Sequence, residues 1–218
     1  TGYWWSPDDR YVAYTRVDES TVDIIPRYEI AAGDVTVIDQ RYPRAGRPNA
    51  VVDLFVRDMD SGAVHEITWR REDWGPATDQ YLARVDWTYL IDGIGITVQR
   101  VDRDQTTIDC GFAAFSKDEP NPQRITLETE HAEIQANWVN LSYDYRSLPS
   151  AAEVYTSETS GVRQVYYRQS GHEAAAITGD DWVVDGVKTV DEASGRPCST
   201  RRARSEPRAT ATTRAASL

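Results

Sequence analysis

Tryptophan recurs along this chain at the head of similar strand-turn-strand units, and that recurrence constrains the fold more than any other feature. The units are "WWSPDDRYVAYTRVD" from Trp4, "VDWTYLIDGIGITVQRVD" from Val85, "ANWVNLSYDYRSLPSAAEVYTSE" from Ala136 and "DDWVVDGVKTVDE" from Asp180. Trp87 to Trp138 is 51 residues, Trp138 to Trp182 is 44, and Trp5 to Trp87 is 82, which is one period plus an insertion. A repeat of roughly 40–50 residues built from short strands is the mark of a β-propeller blade. A β-sandwich with coincidental tryptophan spacing is the rival, and it leaves the fixed period unexplained.

Each unit continues with a second hairpin. In "VVDLFVRDMDSGAVHEITW", Val52, Leu54 and Val56 share one strand face, Asp60-Ser61-Gly62 is the turn, and Val64 and Ile67 lie on the return strand. After Trp87 come "TTIDCGFAAF" and "QRITLETE", joined by the turn-rich "SKDEPNP"; after Trp138 come "VRQVYYRQ" and "EAAAIT", joined at Ser170-Gly171. Four strands per unit give an all-β fold, a partial β-propeller of about three four-stranded blades plus the start of another. The propeller region is expected to span residues 1–196.

Two segments break the repeat. Residues 19–49, "ESTVDIIPRYEIAAGDVTVIDQRYPRAGRPN", form an insertion inside the first blade with strand-like "DVTVID". So long an excursion either has a task of its own or packs back on its blade. Residues 197–218, "PCSTRRARSEPRATATTRAASL", carry five arginines and one acid with no apolar alternation. This tail is expected to be patternless and either disordered or the product of a shifted reading frame; a basic nucleic-acid arm is the alternative.

Composition narrows the function. The net charge of −11 disfavours binding to a phosphate backbone, so no nucleic-acid partner is expected. No apolar run approaches the roughly 20 residues that span a bilayer, and no signal-peptide pattern opens the chain at Thr1. The compartment, periplasm or cytoplasm, is left open. Cys110 and Cys198 lack metal-ligand spacing and read as two thiols, a disulfide being the alternative. His65, His131 and His172 are scattered singly, in or beside predicted turns, and read as solvated or capping residues. No metal and no cofactor is expected. Asp8 and Asp9 in "SPDDR" read as turn residues, and Asp18-Glu19 as a structural hydrogen-bonding pair.

The stretches "GYWWSPDDRYVAYTRVDES", "RYEI", "DVTVIDQRYPRAGRPN", "YLARVDW", "NWVNL" and "GDDWVVDGVKTVDEASGR" together resemble the propeller of bacterial dipeptidyl peptidase IV-like serine peptidases, of the prolyl oligopeptidase superfamily. The resemblance runs from Thr1 to Arg196. It implies a propeller seated over an α/β-hydrolase domain, whose Ser, on a G-x-S-x-G elbow, works with His and Asp. It implies a pair of adjacent glutamates that grips the substrate's free amine, and release of Xaa-Pro or Xaa-Ala dipeptides from peptide N-termini. A protonated amine held by carboxylates in a partly dry site fixes which peptide bond reaches the nucleophile.

This sequence contains neither G-x-S-x-G nor Glu-Glu. The resemblance puts the glutamate pair just upstream of the "WWSP" strand and the hydrolase beyond the last blade, so the chain reads as a fragment that begins in mid-blade. It supplies no catalytic residue of its own and is expected to be inactive alone. The resemblance further implies that "NWVNLSYDY" borders the propeller's central opening, with Asn140, Ser142 and Tyr143 near the peptide; an ordinary blade-start loop is the alternative. It also implies that the 19–49 arm, with Tyr28, Tyr42 and Pro43, contributes to a homodimer. A stand-alone propeller acting as a protein-binding module and a non-functional truncated product remain the competing readings of the whole.

Overall fold

The structure, a computed structural model, describes residues 2–90, 93–116, 124–148, 150–169, 171–179, 181–191 and 196–203, with side chains for all but Ser116, Glu130 and 196–203. The expected link over 117–122, Ser170 of the expected turn and the tail beyond Ala203 lie outside the described residues.

The chain forms short strands that return on themselves in sequence. Strands β1 (Tyr3–Trp5) and β2 (Tyr11–Asp18) are followed by the hairpin β3 (Ile24–Ile30) and β4 (Val35–Arg41), then by β5 (Val51–Asp58) and β6 (Val64–Thr68). β1, β2, β5 and β6 pair antiparallel as blade 1, and β3-β4 stands apart as a two-stranded arm. Two single-turn 3-10 segments, Glu72–Trp74 and Ala77–Asp79, lead into β7 (Gln80–Leu90), β8 (Gly93–Asp102) and β9 (Thr107–Ser116). Next come β10 (Arg124–Thr126), β11 (Glu128–Ile134), β12 (Arg146–Ser147), β13 (Ala152–Ser157), β14 (Gln164–Gln169), β15 (Ala175–Ala176), β16 (Trp182–Asp191) and β17 (Arg196–Ala203). Blade 2 is β7-β8-β9-β11, blade 3 is β12-β13-β14-β15, and β16-β17 starts a fourth sheet. The all-β partial propeller read from the repeat is thus the observed architecture.

Alternation explains the packing between blades. Tyr11, Ala13, Leu54, Val56 and Ile67 of blade 1 meet Ile94, Ile96, Val98, Ala113 and Phe115 of blade 2 in one buried cluster. Val52, expected on the same face as Leu54 and Val56, packs at its margin. A second cluster joins Val154 and Val165 of blade 3 to Val184 and Val187 of β16. Strand β8 is buried along almost its whole length because both its faces are covered. Ile94, Ile96 and Val98 join the blade 1 cluster, whereas Gln99, of the opposite parity, reaches toward blade 3. Gly95 lets the strands approach: a Cβ there would lie 2.6 Å from the Ala113 carbonyl.

The turns follow local chemistry. In "SPDDR" the Ser6 hydroxyl donates to Asp8 at 2.6 Å and accepts from the Tyr11 amide at 2.9 Å, while Asp9 sits at φ 57°. Asp18 accepts from the Ser20 amide at 2.8 Å, the structural role expected for it. Gly62, at φ 74°, closes the β5-β6 turn.

Four expectations need correction. "QRITLETE" is not one strand: it divides at buried Leu127, so that β10 runs parallel to β6 on blade 1 while β11 returns to β9. The chain thereby covers blade 1's outer edge. His65 is a buried strand residue that meets the Phe115 ring edge-on at 6.3 Å. His131 lies in β11, stacked on Tyr155 at 4.5 Å, and neither histidine is a solvated turn residue. Finally, the strand pattern does not stop at Arg196: β17 continues to Ala203 against β16, because backbone pairing requires no apolar alternation. Cys110 is buried in β9, and the side chain of Cys198 lies outside the described set.

Candidate functional site

The stretch from Gln135 to Tyr145 carries the chain from blade 2 to blade 3. It is anchored on the β8-β9 turn, whose shape follows from "DRDQT". Asp102 accepts from the Thr106 and Thr107 amides at 2.9 Å each, and Gln105 takes φ 57°. The Gln105 carbonyl then accepts the Val139 amide at 2.9 Å, and Thr106 accepts that of Gln135 at 2.9 Å. Val139, 3% exposed, plugs the loop into the blade, and the residues on either side of it are free to face outward.

A groove of about 530 Å³ opens along this loop, with Tyr81, Leu82, Trp138, Leu141 and Tyr143 among its walls. Trp138 and Tyr143 are 55% and 72% exposed. The Arg84 guanidinium lies 4.0 Å from the centre of the Tyr143 ring, and that of Arg103 lies 5.9 Å from the Tyr81 ring. Arg103 also donates to the Arg47 carbonyl at 3.0 Å and the Thr78 carbonyl at 3.3 Å, which ties the base of the arm to the groove wall. The surface combines aromatic faces with fixed cations. Chemically it suits an extended chain with apolar side groups.

The three residues singled out in this loop have different surroundings. Tyr143 faces the groove. Asn140 borders it but donates its side-chain amide to Glu158 at 2.8 Å, and Arg163 holds the other Glu158 oxygen at 3.2 Å. The Ser142 hydroxyl is turned inward, 3.0 Å from the Thr156 hydroxyl, where it also accepts from the Asp144 amide at 3.3 Å. Asn140 and Ser142 meet around a small cavity between blades 2 and 3, with His131 and Gln99. Sequence reasoning singles out neither Trp138 and Tyr81 as groove residues nor Arg84 as the partner of Tyr143. Trp138 lies in the "NWVNLSYDY" stretch but stands out there only as a repeat marker, and nothing in the spacing pairs Arg84 with Tyr143, 59 positions later.

In the arm, β3 and β4 pair Tyr28 with Val37 and Ile30 with Val35. Directly opposed residues share a face, so Ile24, Tyr28, Ile30, Val35 and Val37, each more than half exposed, lie on one face, which is apolar toward the hairpin tip and carries Asp39 and Arg41 toward its base. Tyr42 bonds through its amide to the Asp23 carbonyl at 3.0 Å and, by alternation, belongs to the opposite face. Tyr28 and Tyr42 are therefore not brought together; Pro43 is exposed just beyond Tyr42. Asp23 secures the arm's base, held far below the ordinary carboxylate range by hydrogen bonds from Arg47 and then Arg44. Among the described residues no group of three metal-ligating side chains occurs, and no helix is long and apolar enough to cross a membrane.

This geometry has counterparts among known proteins. The family model described as dipeptidyl peptidase IV (DPP IV) N-terminal region matches residues 1–196. Dipeptidyl aminopeptidase A of Saccharomyces cerevisiae is 23% identical over 200 residues, covering 84% of this chain and 20% of that protein. The crystal structure of Porphyromonas gingivalis dipeptidyl peptidase 4 superposes with a TM-score of 0.67 at 22% identity, over 88% of this chain and 26% of that one. At that identity the superposition speaks for the fold. The chain spans about a fifth of the length of the yeast relative it matches. It belongs to the dipeptidyl peptidase IV N-terminal region family.

Proposed function

We propose that this chain is the propeller portion of a serine exopeptidase that releases Xaa-Pro and Xaa-Ala dipeptides from peptide N-termini. Its role is to gate access and to guide the peptide, and the chain by itself is inactive. The observation that carries this reading is the match of the DPP IV N-terminal region over residues 1–196. The groove supports the guiding role, because Tyr143 and Trp138 offer exposed aromatic faces beside Arg84 rather than being spent in the core. Asn140 shapes the groove through Glu158, and Ser142 holds the loop from within.

The test uses the complete protein and an Ala-Pro-chromophore. Hydrolysis is expected, with loss of activity when the substrate's amine is acetylated, since a neutral amide cannot satisfy a carboxylate grip. Equal turnover of the acetylated substrate would sink the exopeptidase reading. The 218-residue chain should release no chromophore under the same conditions.

A second reading concerns assembly. On one face of the arm Ile24, Tyr28, Ile30, Val35 and Val37 are each more than half exposed, and this supports a homodimer formed through residues 19–49. Size-exclusion chromatography with light scattering on the complete protein tests it. A monomer at micromolar concentration would remove the dimer.

A further inference from the structure

Between blades 2 and 3 lies a cavity of about 20 Å³, bordered by Gln99 on β8, His131 on β11 and Ser142 on the connecting loop. Gln99 is only 6% exposed. Its side-chain nitrogen donates to the Ser142 carbonyl at 3.1 Å, which identifies the other terminal atom as the oxygen. That oxygen is buried without a hydrogen-bond partner, and so is Nδ1 of His131. Four hydroxyls around it already have partners: Tyr145 donates to Glu153 at 2.6 Å, Ser157 to Glu133 at 2.6 Å and Thr156 to Asp144 at 3.2 Å, and Ser142 lies 3.0 Å from the Thr156 hydroxyl.

Two orphaned polar atoms on one cavity of this size have a specific chemical requirement. Gln99 Oε1 can only accept, so it needs a donor. His131 Nδ1 needs one too when the ring is neutral and carries its proton on Nε2. A single water supplies two donors, and it fits, since one water requires roughly 10–15 Å³ of such space and two to four polar partners. We infer that this cavity is a built site for one water molecule that bridges Gln99 Oε1 and His131 Nδ1. The water joins β8 to β11, and through Gln99 Nε2 it joins both to the Ser142 backbone. Gln99 and His131 are thereby positioning residues for the loop that presents Tyr143, and neither touches a peptide.

The experiment is water-selective nuclear Overhauser spectroscopy on the labelled 218-residue chain. A long-lived water should give cross-peaks to the His131 Hε1 proton and to the Gln99 side-chain amide. Their absence would overturn the proposal without recourse to any variant. In Gln99→Met the cross-peak to His131 should be lost, and the Ser142 and Tyr143 signals should shift. A His131 cross-peak that persists in Gln99→Met would show that the water is not shared between the two side chains, and would equally overturn it.

Discussion

Asp109 is fully buried and gripped by Arg100, whose Nε lies 2.7 Å from one carboxylate oxygen while its own side chain is 4% exposed. Arg71 reaches the second oxygen at 2.6 Å from the segment that links blades 1 and 2. Thr129 of β11 donates to that same oxygen at 3.1 Å, and Arg100 extends to the Trp69 carbonyl and, at 2.8 Å, to Thr129. One carboxylate thus gathers two strands of blade 2 and the chain leaving blade 1. Arg71 is held above the ordinary guanidinium range by its bonds to Asp73 and then Asp109.

The network makes Asp109→Asn a severe change. It keeps the shape and removes the charge, so Arg100 is left buried and uncompensated, at a cost of about 3–5 kcal/mol. Urea denaturation should show the midpoint falling with little change in slope. By contrast Arg16, 69% exposed beside Asp53, should be replaceable by Ala with no measurable loss. If Asp109→Asn and Arg16→Ala prove equally mild, the clasp is not what holds blades 1 and 2 together.

His131 predicts a pH dependence. Burial lowers its basicity, and Arg168 adds to that, while Glu153, Asp109 and Glu133 oppose it. Because the folded pKa is depressed, the unfolded chain binds more protons at mildly acid pH, and stability rises with pH. This contribution is fully present above the unfolded value of about 6.5 and is lost as pH falls through the folded one. His131→Phe, which preserves the stack on Tyr155, should flatten the melting temperature between about pH 7 and pH 5.5 relative to the unaltered chain. An identical pH profile in the two proteins would assign the slope to other groups.

The repeat carried most of the fold because blade packing is an alternation problem. Leu54 and Val56 must be buried together on one face, and a two-residue period is readable without coordinates. The crossing at Leu127 was not readable, since "QRIT" is as suited to blade 1's edge as to blade 2's. Nor were the positions of His65 and His131: polar residues on strands are recognised as interior only once the opposing sheet, here Phe115 and Tyr155, is known. Among the site residues, Tyr143 and Ser142 are adjacent in sequence and turned to opposite sides. That difference depends on Thr156 and Arg84, both remote in sequence.

Tyr143→Ala tests the groove in the complete protein. The residue is 72% exposed, so the melting temperature should hold. Losing one aromatic contact of about 0.5–1.5 kcal/mol should raise KM for longer peptides by roughly two- to tenfold with kcat little changed. A dipeptide-chromophore too short to reach the groove should be unaffected. Equal effects on short and long substrates would place Tyr143 away from the peptide's path.

The last prediction separates the two faces of the arm. Ile30 and Val37 lie on the apolar face with Tyr28, whereas Tyr42 lies on the other. A charge placed in the middle of an apolar contact is costly because it must be desolvated without a partner. If the apolar face seats a second copy, Val37→Asp should convert the complete protein to a monomer, and Ile30→Asp should do the same. Tyr42→Asp should leave the dimer intact, because Tyr42 lies on the face away from Tyr28, Ile30, Val35 and Val37, with the Arg27–Glu29 pair at 2.6 Å. Light scattering reads all three. Should Tyr42→Asp dissociate the dimer while Val37→Asp does not, the contact runs through the opposite face, and the exposed strip of Ile24, Tyr28, Ile30, Val35 and Val37 must be covered by another part of the protein.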